Sequence, residues 1–379
     1  MPKDAAGSGA ADFAAEIYAL GHHFDIVGHP IEAAPVTTGH IHDTYLVTYV
    51  DGGRRARYIH QRINQHVFRD PLRLMENVER VVRHVRAKFE SEQHPDISRH
   101  VLGLVHARDG RPYYLDEEGA YWRTWLYIEG VRSHTIVDSP ALARRAAAAF
   151  GRFVRLLADL PGPQLHETIA DFHNTPRRFE QLRRAIDADA RNRVTAAKEE
   201  IDFASERVTM AHTLVELQAQ GALRQRIAHN DTKITNVLFD AVSDEALCII
   251  DLDTVMPGLL LHDFGDLVRT TGSASSEDER ELERVYVRLP VFEALAQGYL
   301  AETAPLFNQQ ELALLPFAGR LVSLETGVRF LTDYLEGDAY FKTTHERHNL
   351  ERARNQFALV RSLEQQEPAM QAIIARLCR

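Results

Sequence analysis

The chain has 379 residues, 45% of them hydrophobic and 26% charged, with a net charge of −10 and two cysteines. That length exceeds one ordinary core and predicts two lobes of a soluble globular protein, and the acidic balance gives a nucleic-acid partner no surface to bind. Cys248 and Cys378 provide neither a disulfide framework nor a zinc set, which fits a reducing cytoplasm; no apolar run approaches the ~20 residues that span a bilayer and no signal-peptide core is present, so no membrane partner is expected.

Met1 to Ala10 are small and polar and are expected to be disordered. Phe13, Ile17 and Leu20 recur at helical spacing and predict a short helix over 12–20. A turn with Gly39, His40 and His42 then enters a period-two strand, and Asp51-Gly-Gly53 closes a hairpin onto a strand from Tyr58. His40 and His42 alternate without a third ligand and do not make a metal pair. Asp70-Pro71 starts a helix by cap and rigid first turn, with Leu72, Met75, Val78, Val82 and Val85 as its apolar face. Short strands follow at 101–105 and 112–115, and a longer one runs from Tyr121 into Gly130.

Beyond Gly130 the periodicity turns helical. Asp138-Ser-Pro140 opens a helix that stops at Pro161-Gly-Pro163, and 168–176 is a loop rich in hydrogen-bonding groups, in which Asn174 or Thr175 caps the helix begun by Pro176. One helix is expected from 194 to 220, ended by Gly221. Others start at about Glu277 and at Pro290, run from 309 to 335, and continue from 349 almost to the end. The expected fold class is α+β and bilobal, with a five-stranded antiparallel N-lobe over 1–128 and a mostly helical C-lobe over 129–379.

The chemistry concentrates in Ile227-Ala-His-Asn-Asp231-Thr-Lys-Ile-Thr-Asn236-Val-Leu-Phe239, followed by Ile249-Ile-Asp251-Leu-Asp253. An apolar run yields to an acid, a lysine two residues on and an amide five on, and a second apolar run ends in paired acids. Phosphoryl transfer needs little covalent help; it needs an oriented nucleophile and cations that neutralise charge on the phosphate oxygens. Asp231 suits the first task, and Asn236 and Asp251 offer hard oxygen ligands to Mg²⁺. Asp253 is a further acid that serves in the second sphere or shares a metal. Asp263, in His262-Asp-Phe-Gly-Asp266, resembles a kinase DFG on the surface, but Asp251 already holds the metal-ligand place soon after Asn236. Asp263 is expected to brace the loop.

His229-Asn-Asp231 with Asn236 and Ile250-Asp-Leu-Asp253 resembles the aminoglycoside phosphotransferase-like kinases, a superfamily built like small protein kinases. Ile250-Asp-Leu-Asp-Thr-Val-Met-Pro-Gly258, His262-Asp-Phe-Gly-Asp266, Arg329-Phe-Leu-Thr-Asp-Tyr334, Gly337-Asp-Ala-Tyr-Phe341 and Tyr58-Ile-His-Gln-Arg-Ile-Asn64 resemble one branch, the N-acetylhexosamine 1-kinases. The likeness spans about residues 35 to 360. It implies ATP and Mg²⁺ as cofactors, Asp231 as base and acceptor contact, Lys233 near the γ-phosphate, and Asn236 and Asp251 as Mg²⁺ ligands. On the nucleotide side Gly39 belongs to the loop over the phosphates, Arg62 stands in the place of the phosphate-binding lysine with Glu76 as partner and Glu79 as its competitor, and Leu126, Tyr127, Ile128 and Glu129 form the hinge that reads adenine. On the acceptor side the likeness points to His40, with His42 equally placed, and to Thr270, Arg329 and Tyr340; Asp171, His173 and Asn174 are further candidates. Arg329 and Asp333, four apart on a helix, also suit an ion pair.

The implied reaction is ATP-dependent phosphorylation of the anomeric hydroxyl of an N-acetylhexosamine or related hexose. The alternatives are an amino alcohol or aminoglycoside as acceptor and a non-catalytic pseudokinase-like binding module. A polycationic acceptor wants an acidic pocket, whereas residues 339–379 hold seven Lys or Arg against four acids.

Overall fold

The computed structural model describes residues 16–37 and 41–379. The chain forms two compact units, one ending at Val131 and the other spanning Arg132–Arg379.

In the first unit residues 16–21 are helical (α1), the described part of the helix expected from 12. The unit is organised by an antiparallel sheet in the order β1-β2-β3-β6-β4, with β5 beside β6. Its strands are β1 (His29–Pro35), β2 (Asp43–Asp51), β3 (Arg54–Arg62), β4 (Gly103–Val105), β5 (Tyr114–Leu115) and β6 (Tyr121–Leu126). These are six strands where the sequence suggested five, because β1 has no strict alternation to announce it. Gly52 and Gly53 turn the β2–β3 hairpin in the left-handed region, where a Cβ is costly. Since strand side chains alternate, the continuous pairing of β2 with β3 sorts them into two faces. Val47 and Tyr49 face one way and build a core with Ile17, Leu20, Phe24 and Trp122. Thr44, Leu46 and Thr48, opposite Gln61, Ile59 and Arg57, occupy the other face. Helix α2 (Pro71–Ser91) begins as expected, with Asp70 Oδ1 accepting from Arg73 N at 3.1 Å; it buries Met75, Val78, Val82 and Val85 but leaves Leu72 48% exposed, so Leu74 and Val81 complete its apolar face. α3 (Ile97–His100) is short, and the two-residue β7 (Val131–Arg132) spans the sequence boundary of the two units.

The second unit is helical around α11 (Leu315–Glu336), which is buried along most of its length. α4 (Pro140–Leu157) is capped by Ser139 and α5 (Thr175–Ala188) by Asn174, whose Oδ1 accepts from Arg177 N. The single helix expected over 194–220 is interrupted: α6 (Lys198–Ser205) and α7 (Val208–Ala219) are separated at Arg207. That guanidinium lies 3.6 Å from the Phe203 ring centroid and forms a two-pronged pair with Glu364, a tertiary anchorage that no periodicity reveals. No α-helix starts at Glu277. Asn355 Nδ2 donates to the carbonyls of Ser276 and Glu279, and α9 (Leu289–Thr303) begins with Pro290 in its first turn. Two short hairpin-like pairs lie among these helices: β8 (Arg226–Ala228) with β11 (Met256–Gly258), and β9 (Val237–Asp240) with β10 (Ala246–Ile249). α8 (Leu260–Leu267), α10 (Gln309–Ala313) and α12 (His348–Leu377) complete the unit. Among the described residues no helix is long and apolar enough to cross a membrane.

Candidate functional site

The loop between β8 and β9 carries Asp231, Lys233 and Asn236, and buried polar groups hold its shape. Asp263, on α8, is fully buried and accepts from the backbone N–H of His229 (2.9 Å) and of Asn230 (2.7 Å). Its own carbonyl takes the Thr232 hydroxyl at 2.6 Å. Burial pushes the Asp263 carboxyl up to about 7, against the pull of those two amides. Asn230 stands at φ 63°, in the left-handed region, and its amide nitrogen donates to the carbonyls of Ala228 and Thr254. Gly258 passes directly beneath: a Cβ there would lie 2.6 Å from Asn230 Oδ1. His229 accepts from Asp231 N at Nδ1 and sits 3.1 Å from the Ile250 carbonyl at Nε2. That pairing requires the neutral ring with its proton on Nε2. Burial, against the rings of Phe150 and Phe153, lowers its pKa to about 4 and keeps it neutral.

Held in this way, the loop gathers its chemistry around one carboxylate. Lys233 Nζ lies 2.8 Å from Asp231 Oδ2 and 3.9 Å from Asp251 Oδ2, and Asn236 Nδ2 donates to Asp231 Oδ2 (3.0 Å) and to its carbonyl (2.9 Å). Burial alone would raise the Asp231 pKa; the Lys233 ammonium outweighs it and, with the Asn236 amide, holds the group below the ordinary carboxylate range. Asp231 is therefore an anion at neutral pH. Burial pulls the other way on Lys233, yet Asp231 and Asp251 keep it charged. Asp251 is at φ 62° and directly follows Ile250, whose N–H is bound to the Asn236 carbonyl at 2.9 Å, so Asn236 and Asp251 are tied together through the backbone. Because Asn236 spends its nitrogen on Asp231, Oδ1 is the atom it presents to a cation. The described residues contain no group of three or more His, Cys, Asp or Glu fit for a metal. One carboxylate and one amide oxygen instead suit Mg²⁺, which takes few protein ligands and completes its shell with phosphate and water. Asp253 is 1% exposed, its charge is felt by His229, and its carbonyl accepts from Thr168.

A model for the phosphotransferase enzyme family matches residues 32–306. The chain belongs to that family. Among solved structures it is similar to a spectinomycin phosphotransferase in complex with ADP and spectinomycin, at 11% identity, with 93% of this chain and 98% of that one covered and a TM-score of 0.58. It is also similar to aminoglycoside 2′-phosphotransferase-IIIa in a GDP complex (13% identity, 92% and 98% covered, TM-score 0.54) and to choline kinase from Cryptosporidium parvum Iowa II (15%, 95% and 97%, TM-score 0.53). At such identities the likeness establishes the fold, the bilobal α+β architecture of the aminoglycoside phosphotransferase-like kinases.

Behind the Asp231 loop lies a pair that sequence patterning missed. His173 Nδ1 is 2.9 Å from Glu325 Oε1, whose other oxygen accepts from Thr175 Oγ1 at 2.6 Å. The second ring nitrogen of His173 reaches the Asn230 carbonyl at 3.3 Å, and its face stacks on His262, 4.4 Å between centroids. Burial opposes both charges, but each sustains the other: Glu325 is held at about 2 and His173 is raised. His173 therefore supports the Asp231 loop from behind. The only signal for it was its place in a polar loop; Glu325 is 152 residues away with no motif of its own.

Arg329 is not paired with Asp333. The Asp333 carboxylate accepts from the N–H groups of Ala339, Tyr340 and Phe341 and from Asn349, so it shapes the turn after α11. The turn brings Tyr340 and Phe341, together with Phe172, around the Arg329 guanidinium at 5.5–5.9 Å from the ring centroids. Arg178 fixes the Phe172 end by donating to the carbonyls of Asp171 and Phe172. The Asp171 carboxylate is taken up by Asn174 and Arg177. Thr270 spends its hydroxyl on the Asp266 carbonyl at 2.7 Å.

In the first unit Gly39 and His40 lie outside the described residues. His42 accepts from Asn64 N at 3.1 Å and stacks on Phe68. Arg62 ends β3, exposed, in the register of His60 and Tyr45; it falls on the face opposite Ile59 and Gln61, and its charge is felt by the Tyr45 hydroxyl, which burial raises. Glu76 is exposed on α2, and Glu79 pairs with His106 at 3.0 Å. In the segment expected to be the hinge, Leu126 is 40% exposed and Ile128 buried, Arg57 packs over the Tyr127 ring at 4.1 Å and pairs with Glu129, and Arg99 donates to the carbonyls of Glu129 and Gly130. Leu46, Thr48, Arg57 and Glu129 line a cavity of about 390 Å³ on the Gln61 face of the sheet.

Proposed function

We propose that this chain transfers the γ-phosphate of ATP to a hydroxyl of a small neutral sugar, an N-acetylhexosamine or related hexose at its anomeric position. The reading is carried by the Asp231 carboxylate, an anion held between Lys233 Nζ at 2.8 Å and Asn236 Nδ2 at 3.0 Å. Asp231 orients the acceptor hydroxyl and receives its proton as that oxygen attacks in line. Lys233 lies where negative charge develops and offsets it. Asn236 Oδ1 and Asp251 would hold Mg²⁺, which when bound neutralises the phosphate oxygens and fixes their direction. The nucleotide fits a family in which a similar structure carries ADP. This intact constellation argues against a pseudokinase.

The acceptor assignment draws on Arg329. Aromatic rings around an empty centre would suit a quaternary amine, but here Phe172, Tyr340 and Phe341 surround a guanidinium, with Arg178 behind. Such a surface repels choline, ethanolamine and aminoglycosides and offers donors to the hydroxyls of a neutral sugar. The test is a product assay with ATP and Mg²⁺ over N-acetylglucosamine, N-acetylgalactosamine, glucose, galactose, choline, ethanolamine and kanamycin. The expected product is a sugar phosphate that has lost its reducing end. Phosphate on an amino alcohol or aminoglycoside alone, or on C6 of hexose alone, contradicts the proposal.

A further inference from the structure

We infer that His262, on α8, is a specificity-determining residue: its imidazole hydrogen-bonds a hydroxyl of the acceptor sugar other than the one that receives phosphate. The inference rests on the sugar phosphotransferase reading above and names a residue that selects the acceptor.

The buried histidines among the described residues are His60, His229, His262 and His348. Three of them engage both ring nitrogens: His60 with Tyr49 and Thr124, His229 with the Asp231 N–H and the Ile250 carbonyl, and His348 with the Thr344 N–H and Asp278. His262 engages neither. Its face stacks on His173, with 4.4 Å between centroids and 29° between planes, and only 7% of the residue is exposed. Yet neither ring nitrogen is hydrogen-bonded to a described residue, and neither is closed off from solvent, so the small exposed part includes the polar edge. Buried polar groups are ordinarily paired, and a ring that only filled space would do so at lower cost as phenylalanine.

The stack connects His262 to both parts of the proposed acceptor site, all within the second unit. The His173 ring lies 4.8 Å from that of Phe172, which packs on the Arg329 guanidinium at 5.7 Å. Glu325, which binds His173, and Arg329 stand one turn apart on α11. On its other side His173 reaches the carbonyl of Asn230, the residue before Asp231. Asp231 bonds Lys233 and Asn236 through Oδ2 and leaves Oδ1 without a partner among the described residues. His262 is thus one ring's thickness from a residue that touches both the Arg329 wall and the Asp231 loop.

Burial, and then the charge of His173, lower the His262 pKa to about 3, so the ring is neutral at pH 7. A neutral imidazole carries one N–H and one lone pair, which suits a hydroxyl and gives an anion no charge to pair with. An analogue that lacks the hydroxyl leaves the nitrogen desolvated and unpaired, and is rejected for that reason.

The test is steady-state kinetics of the full-length chain with ATP and Mg²⁺, for wild type, His262→Phe and His262→Gln. The acceptors are the sugar that wild type turns over best and each of its singly deoxygenated analogues other than the anomeric one. Wild type is expected to lose about tenfold or more in kcat/KM on one analogue. His262→Phe, which keeps the stack and removes both nitrogens, should lose a similar factor on the parent sugar and hold KM for ATP within about twofold. On that one analogue it should stay within about twofold of wild type, because the bond is already absent. His262→Gln should recover part of the loss. An equal loss by His262→Phe on the parent and on every analogue is the mark of a packing residue and overturns the assignment, as does an unchanged kcat/KM on the parent. Should His262→Phe not fold, as judged by thermal unfolding, the same pattern is read from His262→Gln, and an equal loss on all acceptors, or no loss on any, overturns it. A wild type that phosphorylates no sugar overturns the proposed function, and this inference with it.

Discussion

Replacing Glu325 by glutamine removes one charge from the His173–Glu325 pair while keeping its shape. Only 2% of the Glu325 side chain is exposed, so little solvent screening weakens the interaction. Moving its carboxyl from 4.5 to about 2 corresponds to roughly 3 kcal/mol at ~1.4 kcal/mol per tenfold change in equilibrium, counted once for the pair. The folded-state value is depressed, so this stability is fully present above pH 4.5 and is lost as pH falls towards 2. His173 reports the same interaction from the other side: its raised value contributes below pH 6.5 and is lost as pH rises through its folded value. His229, which burial lowers to about 4, also weakens the fold in acid, but it does so in wild type and variant alike; His262, lowered to about 3 chiefly by burial, feels both members of the pair and adds a smaller change of its own. Thermal unfolding by calorimetry from pH 3 to 8 should therefore show Glu325→Gln melting several degrees below wild type at pH 6–7, with the gap closing below pH 4.5. Because His173 also touches the Asn230 carbonyl, turnover should fall severalfold at a temperature where the variant remains folded. Equal melting temperatures at pH 7, or a gap that does not narrow in acid, would refute the role assigned to the pair.

Gly258→Ala places a methyl group 2.6 Å from Asn230 Oδ1 and 3.1 Å from the Ala228 side chain, so it should cost about 1–3 kcal/mol and lower kcat; a melting temperature and kcat both equal to wild type would contradict the packing described. Arg329→Ala should raise KM for the sugar about tenfold and leave KM for ATP within twofold, as measured by steady-state kinetics with each substrate varied. A matching rise in the ATP value would separate Arg329 from the acceptor.

Local signals were legible where one short segment determines the outcome. Asp70-Pro71 and Asn174 with Pro176 announced helix starts because capping is a contact between near neighbours, and both caps are formed. The cluster of Asp231, Lys233 and Asn236 was legible for the same reason: the three span six residues, and their side chains meet. Asp263 required order along the chain as well as type, and its two bonds to the loop backbone fit a bracing residue. Residues 194–220 show why other features stayed hidden. Their helical pattern is genuine, but the break at Arg207 is set by Glu364, 157 residues away. Strand alternation likewise gives two faces without saying which one is covered. Arg62 and Gln61 cannot be told apart until β2 and β6 fix the register. Glu325, in the middle of an apolar helix, acquires its meaning only from His173 across the fold.

The central claim, that Asp231 is the base of a sugar phosphotransferase, is tested most directly by single-turnover transfer of labelled γ-phosphate from ATP to N-acetylglucosamine and N-acetylgalactosamine, comparing wild type with Asp231→Asn. Asparagine keeps the size of the side chain and removes its ability to take a proton. The account predicts a labelled sugar that no longer reacts as a reducing sugar with wild type, and a rate lower by about a thousandfold with Asp231→Asn at unchanged melting temperature. Undiminished transfer by Asp231→Asn would contradict it.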